Sequence, residues 1–182
     1  MVSTNEQYDE AVKGCRELFV NKTRDYGTSW TVLRPISIVD QIFIKAQRIR
    51  TIQEKQEQKI DDNIRSEFVG IVNYGIIGLI QIHYQPQANE IDPATVAKWY
   101  DVMMSDCRRT MKDKNHDYGE AWRSMSQESF ADLILMKLMR IRQIIANDGK
   151  TLVSEGVDAN FTDIVNYSLF ALILIDDGKH NG

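Results

Sequence analysis

The sequence is poor in most features that announce a protein's class. It holds three prolines, three histidines and two cysteines in 182 residues. Cys15 and Cys107 provide neither a disulfide framework nor zinc-type spacing, and they read as small buried hydrophobes of a reducing cytoplasm. No apolar run reaches the roughly 18 residues needed to span a bilayer. The opening MVSTNEQYDEAVKGC lacks the charged and apolar regions of a signal peptide, so a cytoplasmic location is expected. A net charge of -4 and a pI near 5.4 argue against a strong binder of nucleic-acid backbone. There is no Ser-His-Asp or Cys-His arrangement and no Gly-rich phosphate loop, and His83, His116 and His180 share no setting. Strand patterning is absent too. What is present is a globular composition, 43% apolar and 26% charged, in a chain long enough for one domain or two small units sharing a core.

The chain does contain a duplication. KTRDYGTSW runs from Lys22 to Trp30, and KNHDYGEAW runs from Lys114 to Trp122. At that same offset lie the identical pairs Tyr8/Tyr100, Cys15/Cys107, Ser37/Ser129, Asp40/Asp132, Lys45/Lys137, Arg48/Arg140 and Arg50/Arg142. One extra residue in the second copy then shifts the register, after which Phe68/Phe161, Ile71/Ile164, Val72/Val165, Asn73/Asn166 and Tyr74/Tyr167 match. Such self-similarity takes precedence over other readings. It divides the chain into a first repeat over 1–84, a polar linker over 85–92 and a second repeat over 93–182.

Each repeat reads as three helices. The first covers about 5–22 and 93–113, with Asp92-Pro93 as N-cap and first helical residue. Gly27 and Gly119 close the Asp-Tyr-Gly turn. The second helix opens at Ser37 and Ser129, where SIVD and SFAD resemble capping boxes, and continues with apolar residues at helical spacing. The third, FVGIVNYGIIGLIQI and FTDIVNYSLFALILI, is apolar on nearly every face and must be buried. Three helices cannot cover such a member alone, but two repeats packed face to face can. The expected architecture is all-α, six helices forming an intrachain pseudo-twofold dimer that makes one compact domain.

The residues shared by both repeats form three groups. Lys22, Asp25, Tyr26 and Trp30, with Lys114, Asp117, Tyr118 and Trp122, offer a cation, a carboxylate and flat aromatic surface. That set suits a nucleotide, with stacking for the base, lysine for phosphate and aspartate for ribose or a metal. It equally suits a fixed turn in which Asp25 and Asp117 cap backbone N–H groups and the aromatics lid the core. Lys45 with Arg48, and Lys137 with Arg140, lie at i, i+3 on one helix face. They either grip a polyphosphate or snorkel to partners such as Glu67 and Asp163; Arg50 and Arg142 read as solvated. Asn73-Tyr74 and Asn166-Tyr167 sit within the most apolar helices, where an amide needs partners. They either fix helix register or touch a bound base or a metal-bound water. For magnesium, the acids are Asp163, Glu155 and Asp132. Glu155 corresponds to Asp62, but Asp163 corresponds to Gly70, so any metal chemistry is expected mainly in the second repeat.

KNHDYG, then a helix with K-x-x-R-I, then a third helix with D-I-V-N-Y, resembles the nucleotide modification associated domain family, first type. The resemblance covers nearly the whole sequence, once per repeat. That family includes single-copy phage and bacterial proteins as well as duplicated forms, and its genomic context links it to modified-nucleotide metabolism. It is more distantly similar to all-α NTP pyrophosphohydrolases, which hold magnesium against a triphosphate with carboxylates on two helices. Carried onto this chain, its motif positions are Lys114, Asp117, Tyr118, Gly119, Lys137, Arg140, Asp163, Asn166 and Tyr167. In the first repeat they are Lys22, Asp25, Tyr26, Gly27, Lys45, Arg48, Asn73 and Tyr74. Ile44 and Met136 stand where single-copy members often have an aspartate, and Gly70 replaces the third-helix acid.

The resemblance implies a protein that binds a nucleotide or another phosphate-bearing small molecule. If it is an enzyme, the implied activity is a magnesium-dependent triphosphate pyrophosphohydrolase, with Lys137 and Arg140 on phosphates, Asp163 on the metal and Tyr118 or Trp122 stacked on the base. The alternatives are a non-catalytic module for a protein or nucleic-acid partner, and a structural pseudo-dimer with a decayed site. An oligomer is compatible with each reading, and a membrane association with none.

Overall fold

The computed structural model describes residues 1–87 and 90–182; residues 88 and 89, inside the segment read as a linker, lie outside the described residues. Six helices follow one another: α1 Thr4–Tyr26, α2 Pro35–Lys55, α3 Ile64–Tyr84, α4 Pro93–Tyr118, α5 Gln127–Ala146 and α6 Val157–Asp176. Short 3₁₀ turns, Ser29–Val32 and Ala121–Ser124, follow α1 and α4. No strand occurs among the described residues, so the fold is all-α as expected. No helix is long and apolar enough to cross a membrane, among the described residues.

Local chemistry sets the helix ends. Asp92 accepts from the Thr95 backbone N–H ahead of Pro93, as the sequence suggests, and Ser3 with Glu6 forms a reciprocal capping box on α1. The Asp-Tyr pairs are helical rather than part of a turn. α1 and α4 run through Tyr26 and Tyr118 and stop at Gly27 (φ 64°) and Gly119 (φ 61°), a backbone state that glycine adopts without strain. SIVD and SFAD are not caps. α2 starts earlier, at Pro35, and α5 at Gln127 behind Ser126, whose hydroxyl accepts from the Ser129 N–H. The third helices also start earlier than their apolar runs, α3 behind an Asn63 cap.

α3 and α6 pack against each other at the centre, with hardly a side chain exposed. Their approach is close: a Cβ on Gly75 would lie 2.6 Å from Val165 Cγ2, and one on Gly78 would lie 2.9 Å from Phe161 Cζ. Around this axis the contacts between repeats are reciprocal, as a twofold requires. Tyr8 donates to Asn166 Oδ1 at 2.7 Å and Tyr100 to Asn73 Oδ1 at 2.8 Å. Within each repeat the same amide donates to the first helix, Asn73 to the Cys15 carbonyl and Asn166 to the Cys107 carbonyl, both at 3.0 Å. Arg16 pairs with Asp101 and Arg108 with Asp9. Arg142 meets Asp40 at 2.7 Å and Arg50 meets Asp132 at 3.7 Å. Arg50 and Arg142, expected to be solvated, therefore bridge the repeats, and Asp40 and Asp132 are their partners rather than capping acids.

Cys15 and Cys107 occupy equivalent places beneath these amides, both fully buried. Burial pushes each thiol up to about 12, which keeps them protonated and unreactive.

Candidate functional site

The end of the first helix, its 3₁₀ turn, the second helix and the middle of the third enclose a cleft in each repeat. The first, of about 440 Å³, is walled by Lys22, Tyr26, Trp30, Lys45, Gly70, Asn73 and Tyr74. The second, of about 390 Å³, is walled by Lys114, Tyr118, Trp122, Lys137, Asp163, Asn166 and Tyr167, with Glu155 at its edge. The two walls correspond residue for residue, so the conserved spacing of the repeats does assemble most of the candidates. Aromatic surface and lysine come together in a hollow of small-ligand size.

Four candidates fall outside. Asp25 and Asp117 are exposed on the last turns of α1 and α4 and line neither cleft; Asp117 meets only the neighbouring His116, at 3.0 Å. Neither caps a backbone N–H among the described residues. Arg48 and Arg140 also leave the clefts. Arg48 donates to Glu67 Oε1 at 2.9 Å and to the Asp62 carbonyl at 2.6 Å, tying the 56–63 loop to α3. Arg140 is exposed, with a weak contact to Met136 Sδ at 3.7 Å. Helical spacing puts lysine and arginine on one face, but one turn further along that face lies beyond the start of the third helix. Of the two readings, Lys45, Arg48 and Lys137 take the second, pairing with Glu67 and Asp163, and lysine and arginine do not converge on one cleft in either repeat.

The asparagines line the clefts with their side chains already engaged behind, to Tyr100 and the Cys15 carbonyl and to Tyr8 and the Cys107 carbonyl. They set the floor of each cleft. The tyrosines that follow are half-buried in its wall. Tyr167 is held above its ordinary phenol value, chiefly by burial and then by the charge of Asp163.

The charges separate the two clefts. In the second, Asp163 is 6% exposed and both of its oxygens are taken: Lys114 Nζ at 2.6 Å from Oδ1 and Lys137 Nζ at 2.8 Å from Oδ2. Lys137 is itself 8% exposed, and a buried ammonium requires such a partner. On Lys114 burial acts to lower the pKa, but the hydrogen bond and charge of Asp163, with Glu155 adding, raise it overall. In the first cleft Gly70 stands at the place of Asp163. The Lys45 chain lies along it, with Cε 2.9 Å from where a Cβ would be. Its ammonium reaches Glu67 at 3.6 Å, where Arg48 already sits, and lies 5.9 Å from the Tyr74 ring centre. Lys22 has no hydrogen bond or ion pair among the described residues.

The tryptophans differ in the same sense. Trp122 stacks on Phe170 with ring centres 4.2 Å apart and planes 6° from parallel, and the Arg123 guanidinium lies 4.4 Å from its ring. Phe170 corresponds to Ile77, and Trp30 has no ring partner among the described residues. Both indole N–H groups are buried without an acceptor among the described residues. Phe170 and Ile77 were not among the sequence candidates, although the third-helix register aligns them as it aligns Phe68 and Phe161.

The donor set does not fit a magnesium ion. Each oxygen of Asp163 is held by an ammonium, Asp132 lies away from the cleft against Arg50, and Glu155 remains as a lone carboxylate. Among the described residues no group of three or more His, Cys, Asp or Glu is placed to hold a metal.

A family model described as nucleotide modification associated domain 1 matches residues 22–82 and again 114–175. Each match begins at the cleft lysine of its repeat. Comparison with curated proteins and with solved structures gave no match. The two family matches cover more than half of the chain, and it belongs to that family.

Proposed function

From this membership we propose that the protein binds a nucleoside phosphate in the first cleft. The phosphate lies between Lys22 and Lys45, and the nucleoside lies against Trp30, Tyr26 and Tyr74. The observation that carries the reading is Lys22, an ammonium without a partner among the described residues, at the mouth of an aromatic cleft whose sister lysine is neutralised by Asp163. An anion is the complement such a lysine lacks, and phosphate is well matched to it. Trp30 adds a buried N–H that has no acceptor among the described residues and a ring with no partner. The family's description supplies the nucleotide. The charge difference between the clefts favours the first for phosphate, whereas the sequence pointed to the second for metal chemistry. No hydrolytic step is proposed, because Asp163 is held by two lysines and Asp132 by Arg50, which leaves Glu155 as a lone carboxylate.

Calorimetry with nucleosides and their phosphates tests the reading. Lys22→Ala is expected to weaken phosphate-ester binding about tenfold or more, the scale of a lost charged hydrogen bond. The melting temperature of the free protein should barely move, since Lys22 is exposed and unpaired. Unchanged affinity would defeat the proposal.

A further inference from the structure

Resting on that reading, we infer that residue 70 is where a single phosphoryl group docks, so that the ligand is a nucleoside monophosphate and only the first repeat accepts it. The second cleft supplies the template. There a planar two-oxygen anion, the Asp163 carboxylate, sits between the two cleft lysines at 2.6 and 2.8 Å. In the first repeat the same two lysines remain but the carboxylate is deleted down to a hydrogen at Gly70. The flexible Lys45 chain now lies in that space, its Nζ 3.1 Å from where a Cβ would stand, and once it swings aside the room left is the niche of one phosphoryl rather than of a chain of three.

Lys45 leans into that niche, and its hold on Glu67 is long, 3.6 Å against the 2.9 Å of Arg48. It can therefore turn to an incoming oxygen while Arg48 keeps Glu67 neutralised. Charge points the same way. Lys22 and Lys45 are the cations of the cleft wall, Arg48 outside it neutralises Glu67, and the two lysine charges match the charge of about −2 on a phosphate monoester near neutral pH. A triphosphate would bring excess negative charge to a site with neither further cations in its wall nor a carboxylate set for magnesium. In the second cleft Lys114, Lys137, Asp163 and Glu155 leave no surplus. The resident carboxylate occupies the phosphoryl position itself.

The test is titration calorimetry with the deoxyribonucleoside and ribonucleoside 5′-monophosphates, the corresponding triphosphates and the nucleosides, in magnesium-free buffer. The tightest monophosphate should bind with one site per chain, about tenfold or more above its own triphosphate and nucleoside. Gly70→Asp, which rebuilds in the first cleft the arrangement the second already holds, should abolish the monophosphate preference and leave nucleoside-level binding. Its fold is checked by circular dichroism, and the Lys45 chain it meets is flexible. Asp163→Gly should create a second monophosphate site. A triphosphate that binds more tightly, or full monophosphate affinity in Gly70→Asp, overturns the inference while leaving nucleotide binding intact. No binding by any of the phosphates removes the parent reading and the inference together.

Discussion

The two clefts are built from the same residues and hold opposite electrostatic states. The second is closed upon itself, with lysines on Asp163 and Trp122 on Phe170. The first has glycine and isoleucine at those two places and, among the described residues, a lysine without a partner and a tryptophan without a stacked ring. The buried tyrosine and asparagine pairs beneath the two clefts keep their symmetry to the level of single hydrogen bonds. Duplication therefore separates two demands that one copy would have to meet together. The buried contacts between repeats must match, because each residue there faces its own counterpart's neighbours. The clefts meet those contacts only at their asparagine floors, so above the floor one could be filled by protein groups while the other stayed open.

The largest expected effect breaks the contrast from the filled side. Asp163→Asn leaves Lys137 buried beside a neutral amide, and removing one partner of a buried pair costs about 3–5 kcal/mol. The lower end applies, since Lys114 is half exposed and admits water. Urea unfolding should show that loss, and Lys137→Met in the same chain should restore much of it. In the first cleft, Lys45→Met should change stability by less than about 1 kcal/mol, because Glu67 retains Arg48. Equal losses from Asp163→Asn and Lys45→Met would show that the clefts do not differ as described.

A second experiment sharpens the comparison by testing what is symmetric. Asn73→Ala and Asn166→Ala each strand a tyrosine hydroxyl and a buried carbonyl from the opposite side of the cleft floor. Each unmet group costs about 1–3 kcal/mol. The two variants should lose stability to a similar degree, about 2–4 kcal/mol, with Tyr8→Phe and Tyr100→Phe each smaller at about 1 kcal/mol. A large loss from one asparagine only would break the twofold.

Much of this fold was legible because a repeat turns one sequence into an alignment of two. The all-apolar third helices announced the central pair, and the paired Tyr8/Tyr100 and Asn73/Asn166 announced a shared role. Helix ends were less legible. SIVD and SFAD read as caps because a serine followed by an acid mimics one, whereas Pro35 and Ser126 set the starts. Arg50 and Arg142 looked solvated because an ion pair between repeats leaves no trace in helical spacing. In the clefts, the lysines and aromatics could be found from spacing. The role of Gly70 could not, since a missing side chain acquires meaning only once Lys22, Lys45 and Asp163 are seen in space.

Between these and the weakest effects lies the Asp-Tyr-Gly element. Gly27 and Gly119 have positive φ with open space where a Cβ would stand. With ψ of −144° and −147°, both lie in a region open essentially only to glycine, so alanine should cost the backbone term, about 1–3 kcal/mol, and the same in both repeats. Asp117→Ala should be nearly silent in stability, because it caps nothing. A loss above 1 kcal/mol from that change would restore a capping role.

The smallest effect probes the ion pair of Lys114 through pH. Its pKa is raised in the folded protein, because the Asp163 hydrogen bond and neighbouring negative charge outweigh the lowering effect of burial. A raised folded value means that the ammonium is bound more tightly by the native state. The stabilisation is then fully present below the unfolded lysine value, about 10.4, and is lost as pH climbs through the folded one. The side chain is 48% exposed, so solvent screening holds the effect below about 1 kcal/mol. The stability difference between the parent and Lys114→Met should stay level from neutral pH to about 9.5 and shrink above about 10.5. Tyr167 titrates in the same alkaline range with its pKa also raised, so both proteins carry Tyr167→Phe to isolate the lysine. Lys22→Met serves as the control for losing a lysine as such. A parent-minus-Lys114→Met difference that stays flat to pH about 11.5 would mean that Asp163 does not hold Lys114 in solution, and the second cleft would then carry a free ammonium like the first.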